Sequence, residues 1–454
     1  MRTAASAPVF LPLLGVLCAC SIDNPGVAPP AHLINFPIAL ALSPPDAGEA
    51  PDWLFIANSN FDLRYNAGSV QSYDLGDIEA GLGCASPPCE MRPVDLRPSE
   101  VLVGSHVAGM AVSPSGERLY LAVRSDTNLT YVNVTDGGLE CGGGGAQHRC
   151  SDEFRRGDEA VASERGVALP GDPVGVAAGS LEMLGRDPAD GDFVLMAHRT
   201  GRVSLFLHQR EGDGQAPILV HVVTGLPEGL VNIELDPDGF GWAPSTDVAQ
   251  IARVGVAIDG ETRDLTRSFA FDLGTLNVTR VDVGGRGDTR DVAFDPRPDV
   301  DRAYVLSRRP EAILVADRAQ AVPGDLGVVD VIPIGFGPSR LAVAEIDLAA
   351  DGSTPDLRTL LFASCFDSRE IWVVDPDLGQ TVNVIRGLSG PFELAVDPQR
   401  KLVYIVDFRS SVIRIADLAP MLACLRDGAP SADASCAPEI VGLLGDPRPV
   451  SELL

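Results

Sequence analysis

The chain is almost without lysine. Lys401 stands alone among 35 basic residues, the rest being arginine, against 63 acidic residues and a formal net charge of −28. That balance excludes nucleic acid and anionic lipid headgroups as the main partner. Aromatics make up only 6% of residues, and the six histidines form no Ser-His-Asp or Cys-His arrangement by spacing. No Gly-x-Ser-x-Gly elbow, His-Glu-x-x-His helix, phosphate-cradling glycine loop or dinucleotide fingerprint occurs, so no catalytic residue is assigned. No apolar run is long enough to span a bilayer as a helix.

What is abundant is glycine (47), proline (36) and short apolar runs that alternate. The clearest stretch is 391–417, PFELAVDPQRKLVYIVDFRSSVIRIAD: three strands separated by turns too short for a crossover helix. Its opening strand has counterparts in FPIALALSP, VAGMAVSP, DPVGVAAG, LVNIELDP, TRDVAFDP and GPSRLAVA, anchored at 37, 107, 173, 230, 289 and 338, then 391. Each anchor is followed by three further β-rich runs, for example RLYLAVR, LTYVNV and GVAL after 107, and KLVYIVD, VIRIAD and EIVGLL after 391. In the unit after 230 these runs are RVGVAI, SFAFDL and VTRVDV. Four antiparallel strands repeated seven times predict an all-β, seven-bladed β-propeller, because a lone four-stranded sheet cannot bury both faces.

SPSGERLYLAVRSDTNLTYVNV, IPIGFGPSRLAVA and DPQRKLVYIVDFRSSVIRIADL resemble YVTN-type β-propeller repeats, over most of 33–445. The resemblance implies architecture and leaves activity open, since such rings serve many functions.

The N-terminus carries one arginine, the apolar run PVFLPLLGVL and then Leu17-Cys18-Ala19-Cys20. This resembles a bacterial lipobox, with Cys18 departing from the usual residue at its position, and the competing reading is an ordinary cleaved signal. The domain expectation is therefore a signal peptide over 1–19, a tether over 20–32 and the propeller over 33–454. Acylation of Cys20 would anchor the chain to a membrane, and Ser21 points to the outer rather than the inner one. Cysteine usage agrees with export: Cys84/Cys89, Cys141/Cys150 and Cys424/Cys436 are local pairs suited to disulfides, with zinc as the competing reading. Cys365 reads as a buried free thiol. A short helix is expected around 420–425.

Alternation of turns sorts the loops onto two faces. The cysteine pairs and acidic insertions fall on a lower face, where Asp347, Asp351 and Asp356 form a calcium candidate lacking the spacing of a tight calcium loop. The opposite, upper rim collects Arg64, Arg124, Arg199, Arg308, Arg369 and Arg409, with Arg202, Arg263, Arg267 and Arg309 beside them and Arg286, Arg290 and Arg340 in the adjoining inter-blade loops. Such a rim would focus an anion, against the alternative that each arginine pairs with a nearby Asp62, Asp126, Asp264, Asp367 or Asp407.

Two residues after each anchor, the channel-facing positions read Ala39, Gly109, Gly175, Asn232, Asp291, Arg340 and Glu393, with Glu234 one pleat deeper. Asn232, Glu234, Asp291, Arg340 and Glu393 are candidates for a channel-mouth ligand site. The acidic and amide members are similar in type to the set with which propeller lactonases hold a divalent cation, which would imply a metal-dependent lactone or ester hydrolase. Arg340 would repel such a cation, and the alternative is an Asp–Arg–Glu ion cluster plugging the mouth. The reading that fits most features is a membrane-anchored envelope lipoprotein, without cofactor, whose propeller is a non-enzymatic platform for a protein or small anionic ligand. A purely structural envelope protein is the third reading.

Overall fold

A computed structural model of the chain describes residues 26–45, 49–143, 148–157, 169–209, 216–248, 250–259, 262–272, 287–321, 326–349, 354–428 and 434–448, with backbone alone for 257–259 and 262–272. The expected signal peptide and Cys20 lie outside the described residues. Among those described, no helix is long and apolar enough to cross a membrane.

Seven sheets follow one another along the chain, each built on a four-stranded antiparallel meander whose order from inside to outside follows the chain, and three of them gain a fifth strand. The innermost strands are Pro37–Leu42, Val107–Val112, Pro173–Ser180, Glu234–Leu235, Thr289–Phe294, Pro338–Asp347 and Pro391–Asp397, defining blades 1 to 7. Each packs against the next, and the seventh against the first, so the ring is closed around a central axis. This is the seven-bladed β-propeller that the repeat predicts.

The ring is held by seven apolar layers, one between each pair of neighbouring blades. Between blades 6 and 7, Phe362, Ile371 and Val373 meet Leu394, Val403 and Ile405, nearly all without solvent exposure. Alternation places such residues on the blade faces, and full burial of each is worth about 1.5–3 kcal/mol. Blade 7 takes Glu439–Leu444 as its fourth strand and meets blade 1 through Ile34, Leu40, Ile56, Tyr404 and Ile413. Across this seam the Phe36 backbone N–H donates to Ser411 Oγ at 2.7 Å.

Two lower-face excursions reach back to the preceding blade. Cys89–Met91, from blade 1, pairs in parallel with Glu439–Leu444 of blade 7. His148–Arg149, from blade 2, pairs in parallel with Ser99–Val103, the fourth strand of blade 1. Both outer edges are thereby covered, as edge strands need. Disulfides Cys84–Cys89 and Cys141–Cys150 close the bases of these excursions, and Cys424–Cys436 links helix Ala419–Asp427 to the chain entering the last strand. Cys365 is free and buried.

Two strand assignments are corrected. In blade 4 the second strand is Gly241–Pro244, inside a segment that reads as a loop because Pro and Gly punctuate it. Trp242 reveals its role: fully buried, it donates its indole N–H to Asp236 Oδ2 at 2.9 Å. The third and fourth strands are therefore Gln250–Asp259 and Thr262–Asp272, which moves Arg263 and Arg267 from the upper rim to the outer strand. The run VTRVDV at 278–283 lies outside the described residues. In blade 2 the strand beyond Asn128–Thr135 is Arg155–Gly157. Most of the run GVAL at 166–169 lies outside the described residues.

The inner strands share one irregularity that positions the site. Pairing shifts between Pro37 and Ala39, Val107 and Gly109, Pro173 and Gly175, Thr289 and Asp291, Pro338 and Arg340, and Pro391 and Leu394. A bulge re-aims the side chain at the extra position. Two adjacent residues of each strand, rather than alternate ones, are thus available to the upper end of the axis.

Candidate functional site

A cavity of about 470 Å³ opens at the upper end of the axis. Every blade supplies its wall from the position after the anchor, bulged in six of the seven: Ile38, Ala108, Val174, Val231, Arg290, Ser339 and Phe392. The loops above add Phe61, His106, Arg124, Arg199, Arg308, Phe366 and Asp367, and Arg340 lines it from the floor.

Below the cavity the channel-facing candidates come together. Asn232 Nδ2 donates to Glu234 Oε1 at 2.9 Å and to Asp291 Oδ1 at 2.7 Å. Asp291 also accepts from the backbone N–H of Val292 at 3.0 Å and of Leu341 at 2.9 Å. Arg340 Nε donates to Glu393 Oε2 at 2.9 Å, and its guanidinium lies 5.4 Å from the centre of the Phe392 ring. Ser364 Oγ bridges the Arg340 backbone to the Phe392 carbonyl. Beside this cluster, on blade 3, the inner strand approaches too closely for a side chain: a Cβ on Gly175 would stand 2.7 Å from Asn232 Cα. Glycine there leaves the space that Asn232 occupies.

Three carboxylates and one guanidinium in this space do not balance. Burial, reinforced by the charges of Asp291 and Glu393, raises Glu234 to about 8 despite Arg340 and the Asn232 hydrogen bond. Burial raises Glu393 to about 7, with Arg340 opposing and Asp291 adding to the rise. Asp291 is also raised by burial, against the pull of Arg340 and its N–H donors. Burial disfavours the Arg340 cation, but Glu393 and Asp291 outweigh it and the group is held more firmly charged. Glu393 keeps 19% side-chain exposure, yet that surface faces an enclosed channel, so the interior field governs its ionisation. Near neutral pH burial and the neighbouring carboxylates favour the protonated form of Glu234, while Glu393 shares its charge with Arg340.

A cation would compete poorly here. Asp291 gives its oxygens to three N–H donors, and Arg340 occupies the Glu393 carboxylate. Among the described residues, no three or more His, Cys, Asp or Glu side chains are grouped to hold a metal ion. On the lower face, Asp347 accepts the backbone N–H groups of Ala349 and Asp356, and Asp356 lies 3.7 Å from Arg358. Asp351 lies outside the described residues.

Among the described residues, which exclude Arg286, three of the six rim arginines form ion pairs, along the ring rather than within their own turns. Arg124 reaches Asp172 at 2.6 Å, Arg199 reaches Asp247 at 3.5 Å and Arg308 reaches Asp367 at 2.7 Å, each on the next blade. Asp126 and Asp407, read as local partners, instead face Arg149 and Arg155, and Arg414. Neighbouring upper loops converge toward the axis, so a long side chain meets the adjacent loop before its own. Arg64 and Arg369 are exposed and do not line the cavity, whereas Arg409 stacks 4.5 Å from the centre of the Phe366 ring.

Sequence reasoning placed Arg290 at the upper rim rather than in the wall, and missed all the aromatic wall residues. Alternation points residues 290, 339 and 392 away from the axis, and only the bulge turns them back. Arg290 pairs with Asp288 at 2.7 Å, but burial first and then the nearby Arg308 and Arg340 leave its pKa lowered. Cationic crowding is thus a property of the wall itself.

These features define a closed seven-bladed ring with an arginine-bearing axial funnel over a hydrogen-bonded ionic floor. No known family model matches the chain. No curated protein matches it in sequence. Among solved structures it is similar to a candidate 6-phosphogluconolactonase from Bacteroides uniformis, at 15% identity and TM-score 0.45, over 74% of this chain and 79% of that one. A protein from Lactobacillus plantarum is similar at 14% identity and TM-score 0.46, over 76% and 82% of the two chains.

Proposed function

We propose that the chain is a lipid-anchored envelope lipoprotein, of the YVTN-repeat kind, whose propeller is a non-enzymatic binding platform receiving an anionic ligand at the upper funnel. The observation that carries this reading is the concentration of five arginines (Arg124, Arg199, Arg290, Arg308 and Arg340) around one cavity in a chain of net charge −28. Their carboxylate partners use part of each five-donor guanidinium, leaving forked donors for a carboxylate or phosphate. Calorimetric titration with small carboxylates tests it. Saturable binding of one anion per chain, weakened by Arg199→Gln and by added salt, is expected; no binding would refute it. Metabolic labelling with palmitate, lost on Cys20→Ala, tests the anchor.

A hydrolase is the second reading, and one observation favours it: Glu234 and Glu393 are both raised into the range where a carboxyl exchanges protons near neutrality. It predicts turnover of lactones or esters that vanishes in Glu393→Gln. The site's own bonding favours binding, since Glu393 is engaged by Arg340 and Glu234 by Asn232.

A further inference from the structure

The funnel is chemically divided. Arginine comes from blades 2, 3, 5 and 6, whereas blades 6, 7 and 1 supply Phe366, Phe392 and Phe61. Behind these, Phe408 acts as a hub, with ring centroids 5.6 Å from Phe61, 6.4 Å from Phe366 and 6.1 Å from Phe392. In a chain with only 6% aromatics, this is a marked local concentration.

The aromatic wall is held open rather than collapsed. Phe61 is 58% exposed at the tip of the upper loop of blade 1. That loop is braced: Asn60 Nδ2 donates to the Tyr65 carbonyl at 2.7 Å and to Ser105 Oγ at 2.9 Å, while Asn60 Oδ1 accepts the Tyr65 N–H. Asn60 and Leu63, on either side of Phe61, both have positive φ, at 50° and 53°. Non-glycine residues in that region are strained, and such strain persists where the surrounding structure fixes it. A large apolar ring presented to water beside a cavity is a standing opportunity for a ligand.

We infer that the funnel takes small organic anions built as a planar aromatic body bearing a carboxylate, the body against Phe61, Phe366 and Phe392 and the carboxylate on Arg290 and Arg308. This rests on the anion-binding reading above and adds the second half of the ligand. Aromatic pairing and apolar burial hold the body. The guanidinium forks hold the charge. The cavity volume lies within the range that encloses a small molecule. Arg340 over Phe392 and Arg409 over Phe366 mark the border between the two sectors.

The test is calorimetric titration of the purified chain with three probes: 2-naphthoate, acetate and 2-naphthalenemethanol. The expected result is one 2-naphthoate per chain, bound at least about tenfold more tightly than acetate, the ratio that ring burial supplies, and at least about tenfold more tightly than the alcohol, which lacks the charge for the guanidinium forks. Phe61→Ala, at a loop tip where the ring is 58% exposed, should weaken 2-naphthoate by more than it weakens acetate. Arg308→Gln should weaken both acids. Circular dichroism confirms the fold of each variant. Equal affinity for 2-naphthoate and acetate overturns the aromatic inference while leaving the anion site standing. Binding of neither acid overturns both. Binding of 2-naphthoate insensitive to Phe61→Ala and Arg308→Gln places it elsewhere and also overturns the inference.

Discussion

Replacing Glu234 by Gln isolates the charge balance of the channel floor. Gln keeps an oxygen to accept from Asn232 Nδ2, and it removes only the ionisable group. In the unfolded chain Glu234 ionises near the usual 4.5; in the fold it does so at about 8. Between those values the folded state carries one proton more than the unfolded state, so stability falls as pH rises through the window. Below it and above it Glu234 contributes no slope. Glu393 behaves likewise between 4.5 and about 7.

A tenfold change in the acidity of a group corresponds to about 1.4 kcal/mol, so an independent Glu234 would lose on the order of 5 kcal/mol across the window. It shares protons with Asp291 and Glu393, and the part attributable to Glu234 alone is on the order of 2–4 kcal/mol. Glu234→Gln should therefore match or slightly trail the parent near pH 5 and exceed it by that amount near pH 9. Urea midpoints followed by circular dichroism from pH 5 to 9 provide the assay. Both proteins carry Cys365→Ser, because burial pushes this thiol up to about 12 only in the fold and the unfolded chain exposes it to exchange at alkaline pH. Parallel pH profiles for the two proteins would refute the claim that Glu234 is held neutral by its surroundings.

Three more outcomes follow from the same geometry. Arg340→Met leaves Glu393 and Asp291 without their counter-charge and should destabilise by about 3–5 kcal/mol at pH 8, with the loss shrinking below pH 6 as the carboxyls take protons; urea midpoints at both pH values check it. A calcium and zinc screen by thermal denaturation should move neither the parent nor Asp291→Ala, and a saturable rise lost in the variant would make the floor a metal site. Deleting 438–454 removes the outer strand Glu439–Leu444 and the edge on which Cys89–Met91 pairs, and soluble expression should be lost; normal folding would overturn the closure of blade 7.

The ring is legible in the chain because its signal is redundant: seven anchors, each with alternating strands, repeat one answer at different places. The cluster of Asn232, Glu234, Asp291, Arg340 and Glu393 is legible for the same reason, since equivalent positions of a closed ring must converge. Blade 4 misleads because Gly241-Trp242-Ala243-Pro244 carries the residues of a turn, and what makes it a strand is the fit of Trp242 beneath Asp236. The wall of the funnel escapes notice for a subtler reason. A bulge changes the facing of residues 290, 339 and 392 without altering the apolar pattern that follows, so alternation gives no warning. Nor does one sequence disclose that Phe61, Phe366 and Phe408 meet, because they lie on blades 1, 6 and 7 and only ring closure brings them together.

Arg340 ties the floor to the funnel. Among the described residues it is the one that both lines the cavity and neutralises the buried carboxylates. When Glu393 is ionised, much of the Arg340 charge is answered from below; when Glu393 is protonated, the same guanidinium adds its field to Arg290 and Arg308 above. In the proposed anion site, protonation of the floor and anion binding would favour each other, by the reciprocity of linked equilibria. The expected outcome is tighter binding as pH falls through about 7, where Glu393 gains its proton, and calorimetric titration with acetate at pH 6 and pH 8 checks it. The surplus of buried carboxylates, costly to the fold at alkaline pH, would then act as a proton-dependent control on the proposed site.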